Sequence, residues 1–254
     1  MDSPRDTPVW NRDVTFWSFV ATQFLGAFND NLFKQLLLLL FVAVPVTIDG
    51  QVVQRDYQWV GLLLFSLPFI LFSGFAGFLS ERYSKSRAIF CCKVAEIVIM
   101  LLGVAGFVAY SHFGISLAMV WLLGSVLFLM ASHSAFFGPA KYGSLPEFFA
   151  SGYLPQVNGA VLMTTFLAII FGTGLAGPLM DLWGDRLWMS SLVCVGIACL
   201  GTFTAWLIRR VPAALPGLPF SVDMLFIPRD IVRLIRADRA LFRALTVSTV
   251  FWLR

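Results

Sequence analysis

Gln23-Phe-Leu-Gly-Ala-Phe-Asn-Asp30-Asn-Leu-Phe-Lys34 lies inside an apolar run from Val14 to Val46. A run of that length crosses a bilayer, which takes about 20 residues. Yet it carries Gln23, Asn29, Asp30, Asn31 and Lys34. An ionised side chain in hydrocarbon costs about 3 kcal/mol on insertion scales, so such groups face a bundle interior or a polar path. Gln23, Ala27, Asp30 and Lys34 recur at i, i+4, i+7 and i+11 and share one helical face. Asp30 and Lys34 stand four apart with the acid first, the favourable order for an ion pair. Two readings stand: these groups line a cargo path, or the pair only makes a costly span tolerable.

Composition supports a membrane protein throughout. Charged residues are 13% and hydrophobic residues 59%, whereas a soluble domain is about 25% charged. The mean hydropathy is +0.83. Cys91, Cys92, Cys194 and Cys199 fall in apolar stretches without zinc-like spacing. They read as small apolar residues rather than redox or metal ligands. Met1-Asp-Ser-Pro-Arg5 lacks a secretory cleavage pattern, so the first span is expected to be retained.

Six spans are predicted, near 16–45, 57–80, 87–110, 114–137, 156–179 and 187–208. The domain reading is a cytoplasmic N-terminus over 1–15, a six-helix bundle over 16–208, a basic central loop over 209–240, and a seventh helix over 241–254 that is cut short. With the N-terminus inside, the cytoplasmic side collects Arg5, Arg12, Arg82, Lys85, Arg87, Lys141, Arg209, Arg210, Arg229, Arg233, Arg236, Arg239 and Arg243. The other side keeps Arg55 and Arg186, each beside an Asp. That asymmetry obeys the positive-inside rule. Ile227 to Leu245 reads as a basic amphipathic helix, either lying on an anionic leaflet or serving as a solvated linker. The bases serve topology and no base-stacking aromatic surface accompanies them, so nucleic acid is excluded as a partner.

Between spans two and three lies Gly77-Phe-Leu-Ser-Glu81-Arg82-Tyr-Ser84-Lys85-Ser-Arg87. It resembles the loop signature of the major facilitator superfamily, G-x-x-x-D-R-x-G-x-x-R/K, with Glu81 for the usual Asp and Ser84 for the usual Gly. In this reading Gly77 permits close helix approach, while Glu81, Arg82 and Arg87 form a conformational latch whose ion pairs break and reform. A merely topogenic basic loop is the alternative.

After span four comes Phe137-Gly-Pro-Ala-Lys141-Tyr142-Gly-Ser-Leu-Pro-Glu147, and later Gln156-Val-Asn158-Gly159. Together with the Gln23 to Asn31 stretch, these are similar to the lysophospholipid-transporter branch of that superfamily. The resemblance implies an all-α membrane protein, the six-transmembrane-helix N-terminal half of a major facilitator fold plus the start of a seventh helix. It implies movement of a lysophosphatidylethanolamine-like lipid from the outer to the inner leaflet of a bacterial cytoplasmic membrane for re-acylation.

A zwitterionic headgroup needs an acid near its ammonium and a base near its phosphate. Asp30 suits the first, and Lys34 the second if Asp30 does not lock it. Gln23 and Asn31 offer neutral hydrogen bonds, and Lys141 and Tyr142 either contact headgroups or belong to a loop shaped by Gly138, Pro139 and Gly143. Glu147 is expected to pair with Lys141 or Arg82, and Asn158 to cap or bridge helices. Lys93, near a span end, is expected to snorkel and to pair with Glu96 at i+3, the other role for Glu96 being a proton site. His133 reads as a packing residue or a proton carrier. Gly172, Gly174 and Gly177 suit close helix packing.

No cofactor, metal or catalytic nucleophile is expected, so the chain reads as a transporter and not an enzyme. The partners implied are the lysophospholipid, membrane lipids, the other transporter half, and an acyltransferase or acyl-activating enzyme. Two alternatives remain: a proton-coupled exporter of small amphiphiles, and the membrane module of an acyltransferase fusion.

Overall fold

Asp13 opens the first helix by accepting a hydrogen bond at Oδ1 from Thr15 N at 2.8 Å, which satisfies one free amide of the first turn. The computed structural model describes residues 12–219 and 229–252. The first eleven residues, the start of the expected amphipathic helix at Ile227 and the last two residues lie outside them. Eight α-helices and one hairpin follow in order among the described residues: α1 (Val14–Leu40), β1 (Val44–Ile48), β2 (Gln51–Arg55), α2 (Gln58–Arg82), α3 (Lys85–Phe113), α4 (Leu117–Phe148), α5 (Leu154–Trp183), α6 (Trp188–Trp206), α7 (Arg229–Ala237) and α8 (Arg239–Trp252).

Among the described residues, five stretches are long and apolar enough to cross a membrane: α2, α3, α4, Ser151–Trp183 containing α5, and α6. Helix α1 has 27 residues, which is enough length to cross. Its polar residues dilute its hydropathy, and it is not among the five. The chain is an all-α, multi-pass membrane protein.

Three boundaries differ from the sequence reading. Helix α1 stops at Leu40, and an antiparallel hairpin follows in place of the last turn of the expected span. Its Asp49-Gly50 turn has φ of 51° and 77°, the left-handed pair that Asp-Gly favours in two-residue hairpins. Helix α4 runs on through Pro139 and Pro146 to Phe148, so Phe137–Glu147 is helix and not loop. Proline removes an N–H and crowds the preceding turn, and α4 continues because Ala140, Leu145 and Phe148 are anchored in a buried cluster. Finally, the basic amphipathic segment breaks at Asp238, whose Oδ1 accepts from Ala240 N at 2.9 Å and Leu241 N at 3.1 Å and starts α8.

Helix α1 packs chiefly on α5 and α6, α4 chiefly on α2 and α3, and α3 on α6. Exchanging 1 with 4, 2 with 5 and 3 with 6 maps this pattern onto itself. That is the packing expected of a bundle built from two three-helix repeats. One close crossing depends on glycine: a Cβ at Gly172 on α5 would sit 2.5 Å from the Phe28 carbonyl oxygen on α1. Gly174, Gly177 and Gly77 have open space where a Cβ would lie, so none of them is needed for close packing here.

Two apolar clusters fill the bundle. One gathers Leu32, Phe33, Met100, Leu123, Ala176 and Cys194; the other gathers Phe16, Phe19, Ile89, Ala140, Val157 and Ala205. Between them, along α1, α3, α4, α5 and α6, lies a polar layer. Thr22 bonds Thr204 at 2.8 Å, Gln23 donates to Thr165 at 3.0 Å, and Thr202 donates to the Lys93 carbonyl at 3.0 Å. Side-chain hydrogen bonds of this kind hold helices together where lipid offers no partner.

Candidate functional site

The polar layer centres on Glu96. Its side chain is fully buried and forms an ion pair with Lys93 at 2.6 Å, one helical turn away on α3. Asn29 of α1 donates to the other carboxylate oxygen at 2.7 Å. His133 of α4 places Nε2 3.5 Å from Glu96 Oε2, while its Nδ1 meets the Met130 carbonyl at 2.5 Å. Three helices thus converge on one carboxylate. Lys93 does not snorkel: its side chain is 2% exposed and its ammonium lies 5.2 Å from the Phe137 ring centroid. A Cβ at Gly26 would overlap Lys93 Nζ, so the bare glycine on α1 gives the ammonium its place.

Asp30 sits beside this network. Ser134 of α4 donates to Asp30 Oδ2 at 2.5 Å, and Asp30 Oδ1 has no hydrogen-bond partner among the described residues. No ion pair joins Asp30 to Lys34. Lys34 instead donates to Asn31 Oδ1 at 2.9 Å and lies 4.7 Å from the Phe65 ring centroid. Asn31 also donates to the Ala27 carbonyl at 2.7 Å. The two residues satisfy each other on a face turned towards α2.

A cavity of about 230 Å³ opens onto Asp30. Gln23, Asp30, Lys93, His133, Lys141 and Tyr142 supply its polar lining, and Phe69 and Phe137 its aromatic walls. Lys34 and Asn31 do not line it. Lys141 is buried, with its ammonium 4.2 Å from the Tyr142 ring centroid, and no carboxylate lies within 4 Å of it among the described residues. The cavity lining therefore includes a carboxylate with one buried, unpartnered oxygen and a cation with no carboxylate partner among the described residues. Ligand atoms of Asp30, Glu96 and His133 lie within 4.8 Å of one another, the spacing of a cation site. Lys93 already neutralises Glu96, so the group reads as an ion-pair network.

The loop between α2 and α3 is built differently from the expected latch. Lys85 forks between Glu147 at 2.5 Å and Glu81 at 3.4 Å; Glu147 pairs with neither Lys141 nor Arg82. Lys85 is buried, which makes it the centre of this contact between α3 and α4. Arg82 lies 5.7 Å from the ring centroids of Phe78 and Tyr83. Ser84 keeps a negative φ and donates to the Val211 carbonyl at 2.6 Å, and Ser86 donates to the Arg209 carbonyl at 2.8 Å. The segment after α6 is tied to this loop. Asn158 is exposed on α5, and among the described residues its side chain neither caps a helix nor bridges two.

Curated relatives match the chain over most of its length. Proteins named lysophospholipid transporter LplT from Salmonella paratyphi A and Salmonella typhi are 30% identical over 216 residues, covering 84% of this chain and 46% of theirs. The Salmonella paratyphi B protein of that name is 29% identical over the same span. These matches support placing the chain in the lysophospholipid-transporter branch of the major facilitator superfamily. It spans about half the length of the curated relatives it matches. No family model and no solved structure matches the chain. The all-α bundle described above is consistent with a partial major facilitator fold.

Ser134 and Thr165 are not among the residues that the sequence singles out for the site. Asn29 carried a signal, as an amide in a costly span. Ser134 and Thr165 carried none, because short hydroxyl residues are common in membrane helices.

Proposed function

We propose that this chain is the N-terminal half of a lysophospholipid transporter. It carries a lysophosphatidylethanolamine-like lipid from the outer to the inner leaflet of a bacterial cytoplasmic membrane, where the lipid is re-acylated. The observation that carries this reading is the cavity whose lining brings Asp30, with one buried and unpartnered oxygen, together with Lys141. Asp30 takes the headgroup ammonium, and Lys141 in place of Lys34 takes the phosphate. Gln23 and Tyr142 add hydrogen bonds, and Phe69 and Phe137 meet the start of the acyl chain. The other side of the path comes from a second six-helix half, with the N-terminus on the cytoplasmic side. Lys85 with Glu81 and Glu147 serves as the latch that must open between states.

The test is uptake of labelled lysophosphatidylethanolamine by cells lacking their own lysolipid importer, with the protein expressed from its full reading frame. Uptake above an empty vector is expected. A correctly inserted protein that gives none overturns the reading and favours the export of other amphiphiles.

A further inference from the structure

A second feature lies on the flank of the bundle, between α2 and α3, and meets the cavity lining only at His133. Helix α2 packs mainly on α4, and α3 on α6 and α4, with little contact between α2 and α3. The gap between them is an apolar groove of about 540 Å³, within the range of roughly 300–1,000 Å³ that ligand sites occupy. Its walls include Leu79, Ala88, Cys92, Ala95, Phe136 and Ala140. Small side chains keep it open.

One end of the groove is cationic. Tyr83, Ser84 and Arg87 line both the groove and an adjoining cavity of about 360 Å³ that also contacts Arg82 and Arg210. Among the described residues no carboxylate lies within 4 Å of Arg82, Arg87 or Arg210. The neighbouring acids, Glu81 and Glu147, are both engaged by Lys85.

In a membrane, an apolar slot ending in arginines matches a lipid with a phosphate. Guanidinium groups bind phosphate oxygens through paired, charge-assisted hydrogen bonds. Lys85 offsets only one of the two acids, which leaves one negative charge against three arginines; the surplus is positive, so the match is to a net-anionic lipid.

We propose that the α2–α3 groove holds a resident anionic phospholipid, with its phosphate on Arg82, Arg87 and Arg210 and an acyl chain between the helices. This lipid is separate from the transported cargo and sits on the flank of the bundle. It supplies Arg82 and Arg87 with the counter-charge that no carboxylate provides, and it braces the loop between α2 and α3.

The test is native mass spectrometry of the purified protein mixed with equal amounts of phosphatidylglycerol and phosphatidylcholine. The native protein is expected to retain phosphatidylglycerol selectively. R82Q/R87Q/R210Q is expected to lose that retention by roughly tenfold or more, as loss of charge-assisted hydrogen bonds implies. Ala95→Phe, which fills the groove, is expected to lose it as well, whereas R233Q/R236Q/R243Q keeps it. Equal retention of both lipids by the native protein overturns the proposal. So does unchanged selectivity in the arginine variant or in a folded groove-filled variant, or loss in the α7–α8 variant. Arg87 and Arg210 are exposed and Arg82 is half-buried, so that arm stays decisive even where Ala95→Phe fails to fold; melting curves identify that case.

Discussion

Lys93 and Glu96 form an ion pair at 2.6 Å with side-chain exposures of 2% and 0%. Removing one member of such a pair leaves a buried charge uncompensated, which costs about 3–5 kcal/mol. Glu96→Gln and Lys93→Met are each expected to lower the melting temperature in detergent sharply. The double variant is expected to melt above either single one. Additive losses in the double variant would contradict an interacting pair.

Gly26 and Gly172 are the close-contact positions of α1 and α5. Gly172→Ala drives a Cβ to 2.5 Å from a backbone oxygen that has nowhere to go. Gly26→Ala pushes the Lys93 ammonium off its seat. Both are expected to destabilise the bundle by about 1–3 kcal/mol, the usual range for overpacking. Gly77→Ala and Gly174→Ala, which meet open space, are expected to be neutral in the same melting assay. Equal losses at all four positions would refute the packing account.

Lys85 holds the loop after α2 to the end of α4 through Glu147. Lys85→Gln is expected to speed hydrogen exchange in residues 82–86 and 147–152. Arg82→Gln, whose guanidinium rests on aromatic rings, is expected to leave exchange at 147–152 unchanged. The reverse ranking would return the latch role to Arg82.

The polar content of α1 made the membrane bundle and its inner face legible in the sequence, and the Lys93–Glu96 pairing followed from their spacing. Partner choice was less legible. Asp30 and Lys34 have ideal spacing, yet Ser134 and Asn31 lie nearer and take them apart. Lys93 is close to a helix end in sequence, but depth does not give direction, and Gly26 opens the inward route. Glu147 finds Lys85 because α4 continues as a helix past Pro139 and carries it there. The Asp49-Gly50 turn between alternating residues was readable as a hairpin; the apolar run around Val44 and Val46 concealed it.

The central claim is that Asp30 meets the cargo headgroup. The direct measurement is uptake of labelled lysophosphatidylethanolamine by Asp30→Asn beside the native protein, with membrane insertion quantified in the same cells. Asparagine keeps the size and the Ser134 contact but removes the charge. Uptake falling to the empty-vector level at unchanged insertion is the predicted result. Uptake equal to the native protein's, at equal insertion, would contradict the account.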